Sequence, residues 1–342
     1  MFSTYQSQDV TILLKDITGL VATLGTRERE ERIQRGVHYS EMLPLEYEPS
    51  PAYLAAYHDA LDRYAPLTAE AVARTAEQIW AAKGERCVLV SLARAGTPIG
   101  ILLRRYLRGR YGADIPHYTI SIIRGRGIDR NAMAYLLGRH APGDLQFVDG
   151  WTGKGAIQRQ LDAAMADYPG VSPGLAVLSD PANAAAICGT HDDFLIASSC
   201  LNSTVSGLLS RTFLRSDIIG PTDFHGAAFY RELMDQDLTY QFIDTIQAHF
   251  PGPPPPRPRP GAADGPGWRR SGRSLPPSAS GTSTSSSPAS GRPPGSCCGG
   301  CPGRCWSTAS GTRPIWATST SWPGRRAWSW RSIPWRTTGP AA

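Results

Sequence analysis

The chain has 342 residues, with 35 Lys and Arg against 29 Asp and Glu and a formal net charge of +6. The excess belongs to one end: residues 1–250 carry 23 basic and 28 acidic side chains, a net of −5, whereas 251–342 carry 12 Arg, no Lys and only Asp264, a net of +11. The overall positive charge therefore gives no ground for nucleic-acid binding by the first 250 residues, which hold enough aliphatic side chains for a large core in one or two domains.

In chain order, Met1 to Gly25 mixes Asp, Lys and Gln with short apolar runs, so no signal peptide is expected, and no apolar stretch reaches bilayer length. Residues 1–50 read as an N-terminal segment in which Val10 to Leu14 resembles a strand. Arg35 to Pro44 is a loop of aromatic, basic and acidic groups, read either as a hood over an acceptor site or as a plain surface loop. Helices are expected at about 51–64 and 67–82. Strand-like runs near 86–92, 117–123, 144–149, 174–178 and 194–197 then alternate with helical patterns, and a long helix over about 223–248 closes the domain. This alternation predicts an α/β domain over 51–250 with a mostly parallel sheet and flanking helices. Its three cysteines, Cys87, Cys188 and Cys200, are too sparse for a disulfide framework, which points to a reducing, cytoplasmic setting.

Two strand–loop–helix units hold the strongest chemical signals. In the first, Cys87-Val88-Leu89-Val90-Ser91-Leu92 runs into Ala93-Arg94-Ala95-Gly96-Thr97-Pro98, with Thr97 placed to cap a helix and Pro98 at its first position. In the second, Leu145-Gln146-Phe147-Val148 leads into Asp149-Gly150-Trp151-Thr152-Gly153-Lys154-Gly155, with Thr152 a candidate cap for the amphipathic helix that follows. Small residues at a strand's carboxyl end, opening a helix, suit a phosphate cradle. A Walker loop is disfavoured, since it needs Gly at Val148 and Ser or Thr at Gly155. Further on, Arg124-Gly125-Arg126-Gly127 follows an apolar strand and reads either as a mobile lid bearing two arginines or as a solvated turn.

These two loops resemble those of type I phosphoribosyltransferases, and more closely the phosphoribosyltransferase-like proteins of tellurite-resistance and stress gene clusters, over about residues 30–250. That group usually ends in a Pelota-type RNA-binding domain, and some of its members are labelled StiP-type cysteine proteases. The resemblance implies a Rossmann-like fold that binds phosphoribosyl pyrophosphate with Mg²⁺ and transfers the phosphoribosyl group to a base or nucleoside-like acceptor. It places Arg94, Ala95, Gly96 and Thr97 on pyrophosphate, Asp149 on the ribose, and Thr152, Gly153, Lys154 and Gly155 around the 5′-phosphate. Arg124 and Arg126 would grip pyrophosphate during transfer. One departure is visible: the usual acidic pair is here Asp149-Gly150, with a single carboxylate.

The alternative is a cysteine hydrolase. The polar run from Gly189 to Gly207 contains Cys200, which would attack as thiolate with His191 or His225 as base. Against this, Cys200 reads equally as a small buried residue at a strand end, with Ser203, Thr204 and Ser206 starting a helix. No residue is assigned as a metal ligand. A small-molecule substrate, no membrane association and a homo-oligomer are the partner expectations.

The tail, 251–342, is rich in Pro, Gly, Ser and Arg, lacks Val, Met and His, and holds seven of the nine Trp. Such a composition predicts disorder rather than a core, although Trp is unusual in disordered chains. It reads as an out-of-frame translation, because shifting plausible codons by one base over Gly281–Arg292 and Cys305–Arg326 yields strand and helix patterning. On that reading the RNA-binding domain is lost and nucleic acid is not a partner. The run from Cys297 to Cys305 has metal-like spacing but no second cluster and no His.

Overall fold

The computed structural model describes residues 2–252. The expectations for the tail, its cysteine run included, lie outside the described residues.

A parallel sheet is built from β1 (Thr11–Ile12), β2 (Val88–Ala93), β3 (His117–Ile123), β4 (Leu145–Val148), β5 (Leu175–Ser179) and β6 (Ile187–Thr190), in the spatial order β1-β3-β2-β4-β5-β6. A short return, Gly127–Ile128, pairs antiparallel with β3. Register is fixed by pairs such as Val90 with Tyr118 and Phe147, Val148 with Ala176, and Cys188 with Val177. Every residue of β4 and β5 is buried, and so are all of β2 but its last. This is why these strands read as continuous apolar runs rather than as alternating ones.

One exposed helix, α1 (Thr26–Gln34), lies in the N-terminal segment, and the other helices cover both faces of the sheet. On one, α2 (Pro51–Lys83), α3 (Gly96–Tyr111) and α6 (Thr239–Ala248) bury Val72, Ala76, Ile79, Leu102 and Phe242 against Leu89, Val148 and Leu178. On the other, α4 (Arg130–Leu137) and α5 (Ala156–Met165) bury Met133, Leu136, Leu161 and Met165 against Val90, Phe147 and Val177. The N-terminal segment is tied in by pairs of short strands, Lys15–Asp16 with Gly226–Ala227 and Thr23–Leu24 with Leu43–Pro44. The buried Asp9 carboxylate also accepts from Arg105 Nη2 at 2.7 Å and Tyr240 Oη at 2.9 Å. Among the described residues no helix is long and apolar enough to cross a membrane.

Several elements differ from the expectation. The two helices at 51–64 and 67–82 are one 33-residue helix that runs through Pro66. Proline removes one backbone hydrogen bond, but Leu61, Ala65, Ala69 and Val72 on both sides are buried, and that packing carries the helix across the gap. The strand expected at 194–197 is instead at Ile187–Thr190; Ile196 and Ala197 are buried, and Phe194 meets Tyr64 of α2. The long closing helix is broken into the strand Gly226–Ala227, a 3-10 turn Arg231–Gln236 and α6. Neither threonine caps its helix. The Thr97 hydroxyl lies inside α3 and bonds Thr119 Oγ1 across to β3 at 2.7 Å, and Thr152 precedes α5, whose N-cap is Gly155 in the left-handed conformation at φ 68°.

Strand β3 lies on one side of β2 and β4 on the other, so the chain leaves β2 and β4 in opposite directions. Open α/β sheets leave a crevice at such a reversal, outside the carboxyl ends of the strands.

Candidate active site

A cleft of about 480 Å³ occupies that crevice, and Arg94, Ala95, Arg124, Asp149, Gly150 and Trp151 are among the residues that line it. The two loops are pressed together at its floor: a Cβ on Gly96 would stand 2.6 Å from Val148 O, so only glycine lets the start of α3 approach the end of β4. Asp149 accepts from its neighbour Gly150 N–H at 2.8 Å, and burial raises its pKa to about 6.

The cleft is rich in guanidinium groups. Arg94 reaches Glu46 Oε1 at 3.1 Å, Leu209 O at 3.1 Å and Asn202 Oδ1 at 3.0 Å, and both members of the Arg94–Glu46 pair are nearly buried. Arg124 and Arg211 also line the cleft, and the side chains of these two make no hydrogen bond or ion pair among the described residues. Partial burial, together with the nearby positive charges of Arg94 and Arg29, lowers the Arg211 pKa. Arg126 is turned away to an ion pair with Glu41 at a separate cavity of about 440 Å³.

The loop expected to cradle phosphate is arranged differently. Thr152, Gly153, Lys154 and Gly155 lie outside the lining of the cleft, and Thr152 is buried with its N–H on Ser179 O at 3.2 Å. The Trp151 ring folds back over Gly153, where a Cβ would meet its Cη2 at 2.4 Å, and Trp151 Nε1 donates to Asp193 Oδ1 at 3.2 Å. The glycine at 153 thus accommodates an indole. Thr97 likewise faces Thr119 inside the fold and not the cleft.

The cysteines separate by what surrounds them. Cys87 is fully buried and its pKa is pushed up to about 12 by burial. Cys200 ends the 3-10 turn Ala197–Cys200 and is half-buried against the core under α2; burial raises its pKa as well. Neither histidine proposed for it is found bonded to it. His225 is a buried imidazole whose Nδ1 bonds Ser121 Oγ at 2.8 Å, and His191 stands against a different thiol, that of Cys188.

Cys188 lies on edge strand β6, half-buried, with Sγ 3.5 Å from His191 Nε2. The other ring nitrogen, His191 Nδ1, is 2.9 Å from Asp180 O just beyond β5. A carbonyl oxygen only accepts, so Nδ1 directs its N–H at Asp180 O; Sγ lies 3.8 Å from Nδ1 as well as 3.5 Å from Nε2, alongside the imidazole, so a turn of the ring is needed to aim the Nε2 lone pair at the thiol. Burial, and secondarily the Asp180 charge, raise the Cys188 pKa, so the resting group is a thiol with a base beside it. Asp180 is fully buried and its carboxylate accepts from Ala184 N at 2.9 Å and Ala185 N at 2.8 Å. The donor atoms of Asp180, Cys188 and His191 all lie within 4.8 Å of one another. The written signal for this pair was Cys188-Gly189-Thr190-His191, a C-x-x-H spacing outweighed in the sequence by the denser polar run after it.

A family model described as "Tellurite-like stress resistance cysteine protease StiP" matches residues 3–247. A curated relative from Acinetobacter baylyi, "Cysteine protease StiP", is 37% identical over 254 residues, which is 71% of this chain and 66% of the relative. The chain thus spans just under two thirds of that protein's length. Among solved structures, a Helicobacter pylori xanthine-guanine-hypoxanthine phosphoribosyltransferase is similar over 40% of this chain and 75% of that one, at 15% identity and a TM-score of 0.23, too low to carry an argument. The transferase expectation is therefore corrected: the family and the relative both bear the name of a cysteine protease, which was the alternative. From the match over residues 3–247, the chain belongs to the StiP family.

Proposed function

We propose that the domain is a thiol-dependent peptidase in which Cys188 is the nucleophile and His191 the general base. The observation that supports this reading is the 3.5 Å approach of Cys188 Sγ to a His191 ring whose other nitrogen is held by Asp180 O at 2.9 Å. A nucleophile, a base in reach of it and a third group orienting the base form the arrangement that activates a thiol. His191 Nε2 takes the thiol proton as Sγ bonds to the substrate carbonyl carbon. Collapse of the adduct breaks the C–N bond, and the imidazolium returns the proton to the leaving amine. Water then attacks the thioester, with His191 again accepting a proton, and the free thiol is restored. Cys200 has no such partner in the described contacts and is assigned to packing.

The test uses the full chain, an unfolded protein substrate and a mixed peptide library. Cys188→Ala is expected to lower cleavage by roughly 10⁴-fold, and Cys200→Ala to leave it within a few-fold. Loss of cleavage in Cys200→Ala with retention in Cys188→Ala overturns the assignment. Absence of cleavage by the unaltered protein overturns the peptidase reading itself.

A further inference from the structure

We propose that Asp180, Cys188 and His191 form a binding site for a thiophilic divalent cation of the zinc class, and that the bound ion silences the thiol. The silencing half rests on the peptidase reading; the binding half does not.

Three features point to a cation. The first is the donor set: a thiol, an imidazole and a carboxylate, the residue types that hold zinc with a fourth position left open. The second is spacing. Tetrahedral zinc with bonds of about 2.3 Å to sulfur and about 2.0 Å to nitrogen separates the two donors by roughly 3.5 Å. The separation of Cys188 Sγ from His191 Nε2 is 3.5 Å, and because Sγ also lies 3.8 Å from Nδ1, a turn of the exposed imidazole is what brings the Nε2 lone pair onto an ion shared with the sulfur. The third is a buried carboxylate without an ion-pair partner. The Asp180 carboxylate is fully buried and forms no ion pair with a basic side chain among the described residues; two backbone N–H groups are its hydrogen-bond donors. A carboxylate in that position keeps lone pairs to offer a cation within reach of the thiol and the imidazole.

The supporting shell is also in place. Asp180 contributes its carboxylate to the cluster while its backbone carbonyl holds His191 Nδ1, the outer hydrogen bond that fixes the tautomer of a metal-bound imidazole. The Ala184 and Ala185 N–H groups fix the carboxylate in turn. Binding replaces the Cys188 proton by the metal, so one proton is released per ion bound. The ion then occupies both the sulfur lone pair that would attack and the Nε2 lone pair that would take the proton, so nucleophile and base are lost together.

The experiment is performed on the reduced full chain with zinc alone as probe, and reads alkylation rate cysteine by cysteine by peptide mass spectrometry. This separates Cys188 from the tail cysteines. Zinc is expected to slow labelling of Cys188 by at least ten-fold and to leave Cys200 unchanged, and chelation should restore the rate. Asp180→Asn is expected to raise the zinc concentration needed for half protection by about 10- to 100-fold. Should that variant fail to fold, His191→Gln, at an exposed position, serves the same purpose. Equal labelling of Cys188 with and without zinc, or protection that survives both substitutions, overturns the site. Protection of Cys188 in a protein that cleaves no peptide after chelation sustains the metal site and removes the peptidase reading. Cleavage that zinc does not slow, with Cys188 still freely labelled, removes the site and leaves that reading standing.

Discussion

Asp149→Asn isolates the electrostatic cost of the cleft. Burial raises the Asp149 pKa from 3.8 to about 6, and a single neighbouring N–H, that of Gly150, works against it. A shift of about two units corresponds to roughly 3 kcal/mol between the two protonation states. The folded pKa is raised, so the favourable contribution is fully present below about pH 3, where both folded and unfolded chains hold the proton, and is lost as pH rises through about 6. The ionised carboxylate then burdens the folded state at neutral pH. Asparagine has the same shape and keeps an oxygen for the Gly150 N–H, but it does not ionise. Chemical denaturation of both proteins across this range should give nearly equal stabilities at about pH 3 and a variant more stable by about 2–3 kcal/mol at pH 8. A stability difference that does not change with pH would show that the carboxylate is solvated, and would refute the argument.

Three further outcomes follow from contacts in and behind the cleft. Gly96→Ala, whose Cβ would stand 2.6 Å from Val148 O, is expected to destabilise the fold by about 1–3 kcal/mol in thermal or denaturant unfolding, because a backbone atom cannot swing aside. Glu46→Ala leaves the Arg94 guanidinium with only neutral partners and should cost about 3 kcal/mol, while the double variant with Arg94→Met should recover part of the loss, as a double-mutant cycle would show. Thr97→Val removes the bond to Thr119 Oγ1 inside the fold and should cost about 1 kcal/mol by denaturant unfolding, with no effect on peptide cleavage.

The parallel sheet was legible because β2, β4 and β5 are buried on both faces and so spell continuous apolar runs. Edge strand β6 was not. Its four residues, Ile187-Cys188-Gly189-Thr190, include a glycine and no aliphatic run, whereas Phe194-Leu195-Ile196-Ala197 is apolar enough to pass for a strand, although Leu195 is exposed and only the other three pack on the core. Pro66 looked like a boundary because local propensity cannot register the tertiary packing on both sides of it. Of the two loops picked out in the sequence, Arg94, Ala95, Asp149 and Gly150 line the cleft while Gly96, Gly153 and Gly155 do not, and its other partners, Glu46, Asn202 and Arg211, come from distant parts of the chain that only folding brings together. The thiol was the least legible: the sequence offers Cys200 as the alternative nucleophile or as a packing residue, while the imidazole allotted to it sits three residues after Cys188 and lies against that residue.

Gly189 has a mechanical meaning. A Cβ there would stand 2.5 Å from Ala71 O and 2.8 Å from Ala71 Cα, so β6 touches α2 backbone to backbone. Gln78 Nε2 bonds Cys188 O at 2.7 Å, and Thr75 Oγ1 bonds Val177 O at 3.1 Å, pinning the same helix to both edge-side strands. Contact between main chains has no rotamers to adjust, so side-chain repacking elsewhere in the core has little purchase on the position of Cys188. The sulfur behaves as a fixed post at the rim of the sheet, and any change in its distance from the imidazole must come from the Asp180–His191 side.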